Sequence, residues 1–439
     1  MKKKMFNDSL VIGLALFCMF FGAGNLVFPP FLGNRVGDGF WLALIGFLLT
    51  GVGFPFLSIL ACARLGGSYE AMGAKIGRRF TMVTMLILSL LLGPLAAIPR
   101  TAATAFELGV VTLAPGTSHL LSSFLYFAIV LFFVLKPTKI LDVIGKVLTP
   151  ILLVTLLSMV LVGIVHPIGG LAAASVDSPF GYALREGYNT MDALAGVIMA
   201  TIPLAALKAK GYTDPKLSSK VLVRAGMISS LGLGIVYGGL MFLGAQTSGL
   251  GLAGLSRIDL LIHIAGEILG QPGIVVLALI TMLACLSTAV VLMIISAEYF
   301  EKLFNGRFSY RAVAIVLTLF STVVSLLDVD QIVGLAVPIL DVVYPIIIVQ
   351  IAGILLGGPL KDVRVLKATV GATLIFSLGT TLAALLHVEP LLIVLRRLPL
   401  YSVGFSWLLP SFLAMVGATL CYGWQSKLKA PEKRAKASI

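Results

Sequence analysis

The chain has 439 residues, of which 59% are hydrophobic and only 12% charged, and it carries a formal net charge of +13. Soluble domains carry about 25% charged residues. That contrast, with a mean hydropathy of +1.07, excludes an ordinary soluble domain and defines a polytopic helical membrane protein.

Apolar runs lie near residues 9–33, 40–63, 80–112, 119–136, 144–165, 184–208, 221–246, 272–300, 310–328, 331–357, 366–387 and 402–424. Each is long enough to cross a hydrocarbon core of about 30 Å. This pattern predicts twelve transmembrane helices in one membrane domain, with no soluble domain. The apolar run after Met1, Lys2, Lys3 and Lys4 is too long for a signal peptide and lacks a clear cleavage site. With the N-terminus in the cytoplasm, 26 of the 32 Lys and Arg fall on inside segments, including Lys139, Lys146 and the tail from Lys427. Arg35, Arg185, Arg257, Arg396 and Arg397 fall outside, and Arg100 falls within a span. The asymmetry follows the positive-inside rule, so both termini are expected in the cytoplasm. The positive charge therefore faces the bilayer rather than nucleic acid, and the basic tail, 425–439, reads as an anchor near anionic lipid.

In chain order, the first informative feature is the run Phe20, Phe21, Gly22, Ala23, Gly24, Asn25 inside the first span. Gly is a poor helix former and Asn bonds its own backbone. In hydrocarbon a freed N–H or C=O must find a partner or line a wet cavity. A break here either holds a ligand or marks a close helix contact through small residues. Segment 64–79 is expected to hold a short interfacial helix.

The third span carries Gly93, Pro94, Pro99 and Arg100, then Glu107. An arginine within a span costs ~2.5–3.5 kcal/mol on insertion scales and usually faces the bundle interior. Asp341, in the tenth span between Pro338 and Pro345, is expected to pair with Arg100, or else to line the path or cap a kink. Glu107 is the other candidate partner, although about 10 Å further along the helix.

The sixth span opens with Arg185, Glu186, Gly187, Tyr188, Asn189, Thr190, Met191 and Asp192 and is expected to be disrupted there. Five spans separate it from the first break. Interrupted helices at matching positions in two five-helix halves point to a transporter site. The halves start from opposite sides, so the repeat is inverted: about 9–165 and 184–357, with peripheral helices at 366–424. A break offers N–H groups to a carboxylate at one half-helix and carbonyls to a cation at the other. The loop 247–271 contains an amphipathic stretch, 258–269. The eighth span supplies Ala284, Cys285, Ser287 and Thr288, whose hydroxyls either ligate an ion or bond the preceding turn.

The four cysteines, Cys18, Cys62, Cys285 and Cys421, lie in spans without metal-ligand spacing. The four histidines, His119, His166, His263 and His387, map to extracytoplasmic ends or loops. A buried histidine relay, haem or zinc site is not expected.

The motif Gly22, Ala23, Gly24, Asn25, Leu26, Val27, Phe28, Pro29, Pro30 resembles the first-helix motif of the branched-chain amino acid:cation symporter family. So do Gly93 and Pro94 with Pro99, Arg100, Thr101 and Ala102; Gly187 and Tyr188 with Thr190, Met191 and Asp192; and Arg397, Leu398, Pro399 and Leu400. The resemblance covers the whole chain. It implies uptake of leucine, isoleucine and valine, coupled to sodium or protons.

A more distant resemblance to the LeuT-like fold implies site roles. The N–H groups of Ala23 and Gly24, with Gly22 and Asn25, would meet the substrate carboxylate. Gly187, Tyr188, Asn189 and Thr190 would complete the substrate site. Asn25 would also meet a sodium ion. A second sodium would sit among Cys18, Phe21, Ala284, Ser287 and Thr288. Val27 and Phe28 stand where that fold carries a gating arginine, so that gate does not transfer. Arg100, Glu107, Asp192 and Asp341 are expected to gate or couple.

Together these readings predict an all-α integral membrane protein of the bacterial cytoplasmic membrane, with a 5+5 inverted repeat, broken helices 1 and 6, and two peripheral helices. It is expected to be a symporter without cofactors, not an enzyme, with sodium as the coupling ion. Alternatives are a same-fold symporter for another small neutral amino acid, an ion channel or an intramembrane hydrolase. No repeated filter-like segment and no membrane-embedded histidine favour the last two.

Overall fold

The computed structural model describes the backbone of residues 2–67, 69–136 and 140–436, and their side chains except at 2, 3, 140–149, 215 and 423–436. Lys2, Lys3, Lys139, Lys146 and the basic tail from Lys427 lie outside the described side chains. All regular structure among the described residues is helical.

The chain opens with α1 (Lys2–Phe20) and α2 (Ala23–Val36), separated by Phe21 and Gly22. The break is narrower than the sequence predicts, because Ala23, Gly24 and Asn25 already form the first turn of α2. Gly37, at φ +44°, ends α2 in a conformation that suits glycine. A tight turn leads into α3 (Phe40–Leu48) and α4 (Phe54–Arg64), joined by a π-type turn. The expected short helix in 64–79 is α5 (Tyr69–Ala74). Next come α6 (Arg78–Leu90), α7 (Ala97–Thr104) and α8 (Val111–Leu113), joined by two more π-type turns, one kinked at Gly93. Such turns inside helices often mark functional sites.

Helices α9 (His119–Leu135) and α10 (Ile140–Val165) complete the first half. The second break separates α11 (Pro179–Asn189) from α12 (Asp192–Met199) at Thr190 and Met191. Residues 185–189, expected to be disrupted, are helical. Met191 instead takes the whole reversal, at φ +64°. For a side-chain-bearing residue this costs roughly 1–2 kcal/mol. A further bend of 47° precedes α13 (Thr201–Ala209). Then follow α14 (Pro215–Gln246) and α15 (Arg257–Leu303), the latter broken at Gly270. The amphipathic stretch 258–269 is thus helical. Helices α16 (Tyr310–Val324), α17 (Val329–Leu355), α18 (Val363–Leu385), α19 (Glu389–Leu395) and α20 (Leu408–Lys436) end the chain.

Six helical stretches among the described residues are long and apolar enough to cross a membrane, or seven with the bent pair α11–α12/α13, and four shorter apolar helices accompany them. Large apolar side chains such as Phe124, Val154, Leu161 and Ile375 face outward. Lipid is as apolar as they are, so association depends on close packing rather than on a hydrophobic drive. Glycines supply it. Both halves of the first broken element pack on α14, while α11 packs on α3 and α12 on α4. A side-chain carbon on Gly244 of α14 would come within 2.7 Å of the Pro30 backbone in α2. One on Gly187 of α11 would come within 2.9 Å of the Gly51 nitrogen.

These contacts predict that Gly244→Val destabilises the bundle by about 1–3 kcal/mol through overpacking. Thermal unfolding in detergent should show a clear drop in Tm. Gly371→Ala in α18, which meets nothing within 4 Å, should leave Tm unchanged or slightly raised. Equal effects of the two substitutions would reject close packing at Gly244.

Candidate functional site

The two breaks face each other. Asn25, in the first turn of α2, donates from Nδ2 to Asp192 Oδ2 at 2.5 Å and to the Tyr237 hydroxyl of α14. Its Oδ1 accepts from the Gly22 N–H at 3.4 Å. Thr190 donates to Gly187 O at 2.9 Å and accepts from the Asp192 N–H at 3.4 Å, closing the second break locally. All of these side chains are buried.

Arg100 projects from α7 into the same region. Its Nη1 donates to Asn189 O at 2.7 Å and its Nη2 to Thr190 O at 3.3 Å. These are carbonyls at the C-terminal end of α11, where a helix has lost its own donors and presents partial negative charge. The expected pairing of Arg100 with Asp341 or Glu107 is therefore overturned. Asp341 instead pairs with Arg185 at 3.4 Å. Glu107 accepts from the Val329 N–H at 2.9 Å and so caps the start of α17. The carbonyls at the helix break lie within hydrogen-bond reach of the guanidinium, and the two carboxylates are held elsewhere.

The other expected residues divide. Thr288 faces the first break: a carbon on Gly22 would sit 3.7 Å from its Oγ1. Ser287 donates to Ala284 O at 2.9 Å, within its own helix. Phe21 and Ala284 both line a small apolar cavity of about 10 Å³, together with Gly22, Leu26, Leu152 and Cys285. That is room for about one water. Cys18 lies in the last turn of α1, half-buried. Tyr188 stacks on Tyr344 of α17 at 4.2 Å. Gly187 is occupied by its packing on Thr50 and Gly51 of the π-type turn between α3 and α4.

Three features escaped sequence reasoning. Tyr237 sits in an apolar run of α14, and nothing local marks it. Arg257, at the start of α15, pairs with Glu186 of α11 at 3.2 Å and with Asp330 of α17, and stacks on Phe28 and Phe31 of α2 at 5.3 and 4.2 Å. It joins four elements at one end of the bundle. At the other end Asp8 of α1 accepts from Lys210 and Tyr212, both at 2.8 Å. Lys210, then Tyr212, hold the Asp8 carboxyl below its ordinary range. A signal for Arg257 was present: it is one of few basic residues outside, and acidic Glu186 lies beside the second break.

Two helix breaks that face each other within apolar helices of membrane length are the arrangement of a membrane transporter site. Solved transporter structures share the fold. Mhp1, a nucleobase-cation-symport-1 family transporter in a closed conformation with bromovinylhydantoin bound, superimposes with TM-score 0.59 at 16% identity, covering 96% of this chain and 93% of that one. MhsT in complex with L-phenylalanine gives 0.56 at 18% identity, covering 92% and 98%. Both are LeuT-fold proteins, and the likeness shows the fold alone.

Residues 5–425 match the family described as branched-chain amino acid transport protein, and the chain belongs to that family. It is 36% identical to the branched-chain amino acid permease BraB of Bacillus subtilis, with 95% of each chain covered. It is 36% identical to the branched-chain amino acid transport system 2 carrier protein of Pseudomonas aeruginosa, covering 94% of this chain and 96% of that one. To the permease BrnQ of Escherichia coli it is 32% identical, covering 94% and 95%.

Arg257 generates a direct expectation. Removing the cation from a buried pair leaves an uncompensated charge, which costs about 3–5 kcal/mol. Arg257→Met should lower stability by that order in detergent unfolding, because Glu186 is only 5% exposed. Adding Glu186→Gln should restore part of it. A double variant no more stable than the single one would show that Glu186 is not the partner that matters.

Proposed function

We propose that this protein imports leucine, isoleucine and valine across the bacterial cytoplasmic membrane by cation-coupled alternating access. The observation that carries the reading is the meeting of the two breaks through Asn25, Asp192 and Arg100, in a chain of this family. The printed names of the relatives supply the substrate class. Breaks that offer N–H groups at one side and carbonyls at the other suit a zwitterion. The apolar cavity beside Phe21, Leu26, Leu152 and Cys285 suits an aliphatic side chain once it opens, since one water's room does not hold an amino acid.

The substrate site of this reading comprises Gly22, Ala23, Gly24 and Asn25 with Gly187, Tyr188, Asn189 and Thr190. Sodium is the coupling ion we favour, held by Cys18, Phe21, Ala284, Ser287 and Thr288, with a second ion at Asn25. The nearness of the Thr288 hydroxyl to Gly22 supports this. Asp192, Glu107 and Asp341 are the carboxylates that would serve a proton instead. The reading includes twelve spans, an inverted repeat and cytoplasmic termini. Helical stretches of 42 and 47 residues exceed the ~20 that one crossing needs, which raises the span count above six or seven. The exchange of partners, first break on α14 and second on α3 and α4, is the packing an inverted repeat produces.

The test is leucine uptake into proteoliposomes with sodium and pH gradients imposed separately. Concentrative uptake should follow the sodium gradient. Isoleucine and valine should compete well and alanine weakly, because each methylene is worth roughly 1–3 kcal/mol in an apolar pocket. Lysine and glutamate should be inert. Strong inhibition by either, or no leucine uptake under any gradient, would reject the substrate reading.

Thr288→Val isolates ligation from packing, since valine keeps the shape and deletes one oxygen. The half-saturating sodium concentration for leucine uptake should rise several-fold. An unchanged value with normal expression would reject a sodium site at Thr288 and leave protons as the driver.

A further inference from the structure

Arg100 is 5% exposed, and no carboxylate of the described residues forms an ion pair with it. Arg185, Arg257, Arg364 and Arg396 each have one. The neighbouring Asp192 carboxylate is engaged by Asn25. The hydrogen bonds of the guanidinium go to two neutral carbonyls of α11. Asp192 acts on the cation through space without a direct ion pair, so the buried guanidinium, hydrogen-bonded only to neutral carbonyls, keeps an incompletely compensated desolvation cost.

Its other face is turned to α2. A carbon on Gly24 would come within 2.7 Å of Arg100 Nη2 and 3.1 Å of Cζ, so only glycine leaves the approach open. The Phe28 ring, one turn further along α2, lies 5.3 Å from the guanidinium carbon. The cation therefore rests against the first turn of a 14-residue helix, where N–H groups point outward and partial positive charge accumulates. A guanidinium there is repelled, whereas an anion between the two is attracted by both. The planar fork of arginine suits a carboxylate's two oxygens.

We propose that Arg100 is a ligand of the substrate's α-carboxylate, which it holds together with the N–H groups of Ala23 and Gly24. The inference rests on the reading of the chain as an amino-acid carrier. It replaces a purely gating role for Arg100. It also gives substrate binding a route to the second break: a guanidinium drawn toward a carboxylate on α2 loosens its hold on Asn189 O and Thr190 O, or carries α11 with it.

The experiment compares leucine with leucinol, which keeps the side chain and ammonium and lacks the carboxylate. Affinities are measured by calorimetry on the purified full-length protein in detergent with sodium. Charge-assisted hydrogen bonds are worth about one to two orders of magnitude in affinity. Wild type should therefore bind leucine at least ~10-fold more tightly than leucinol, and Arg100→Gln should remove most of that preference by weakening leucine alone. Arg100→Lys, which keeps charge without the fork, should retain an intermediate preference. Should the Gln variant fail to fold, the Lys variant and the wild-type ratio still decide. A role confined to bracing the break would weaken leucine and leucinol equally, and that result would overturn the proposal. So would wild-type protein that binds both alike. Wild type that binds no leucine would overturn the carrier reading, and this proposal with it; normal leucine binding with an unchanged ratio would overturn the role of Arg100 alone.

Discussion

Backbone groups freed by a helix break inside a membrane bundle must be satisfied from within the protein. This chain contains two such breaks, and it satisfies them partly with their own side chains and partly with groups that reach across from the other break or from α7. Asn25 crosses from the first break to Asp192 at the second. Arg100 reaches the second break from α7 and covers Asn189 O and Thr190 O while lying against Gly24 of the first. Neither break is a self-contained defect. A change in the distance between them alters the hydrogen bonding of both, which is the mechanical requirement for a site that opens and closes.

The two ends of the bundle are held by different chemistry. Arg257 draws α11, α15 and α17 together over the ring faces of α2, and its carboxylate partner Glu186 is buried. Asp8 ties the start of α1 to the turn after α13 with two donors. Both ties are made at once, and the cavity at the first break admits about one water. Alternating access needs each tie to be broken separately. The partly buried tie of Asp8 with Lys210 costs less to exchange for water than the more deeply buried pair of Arg257 with Glu186. The two ends therefore open against unequal resistance.

Much of this was legible in residues whose cost demands an explanation. Paired glycines around an asparagine in an apolar span marked the first break, and the polar, acidic start of the sixth span marked the second. Arg100 advertised itself as a charge in a span. Its partner was not legible, because side-chain pairing was weighed against carboxylates while the structure used main-chain carbonyls, and every residue carries those. The extent of the second break was misjudged for a similar reason. Residues 185–189 look unfit for a membrane helix by composition, but 186–189 are buried, Tyr188 against the Tyr344 ring, and the run stays helical. One methionine in a left-handed conformation then supplies the interruption, which no propensity scale places at Met191. Tyr237 was invisible because a tyrosine in an apolar run usually packs; only its position opposite Asn25 gives its hydroxyl a task.

Phe28 shows how the parts connect. It stands with Val27 where the resemblance to the LeuT-like fold implies a gating arginine, so that gate does not transfer. Arg257 brings a guanidinium to the face of Phe28 from α15, and Arg100 brings another from α7, both at 5.3 Å. One aromatic ring thus separates the cation that closes an end of the bundle from the cation at the breaks. The two positive charges repel across it, and the ring's negative faces offset that repulsion only while both stay close. On the proposed role of Arg100, a carboxylate bound there would screen the repulsion between the two guanidinium groups and so strengthen the hold of Arg257.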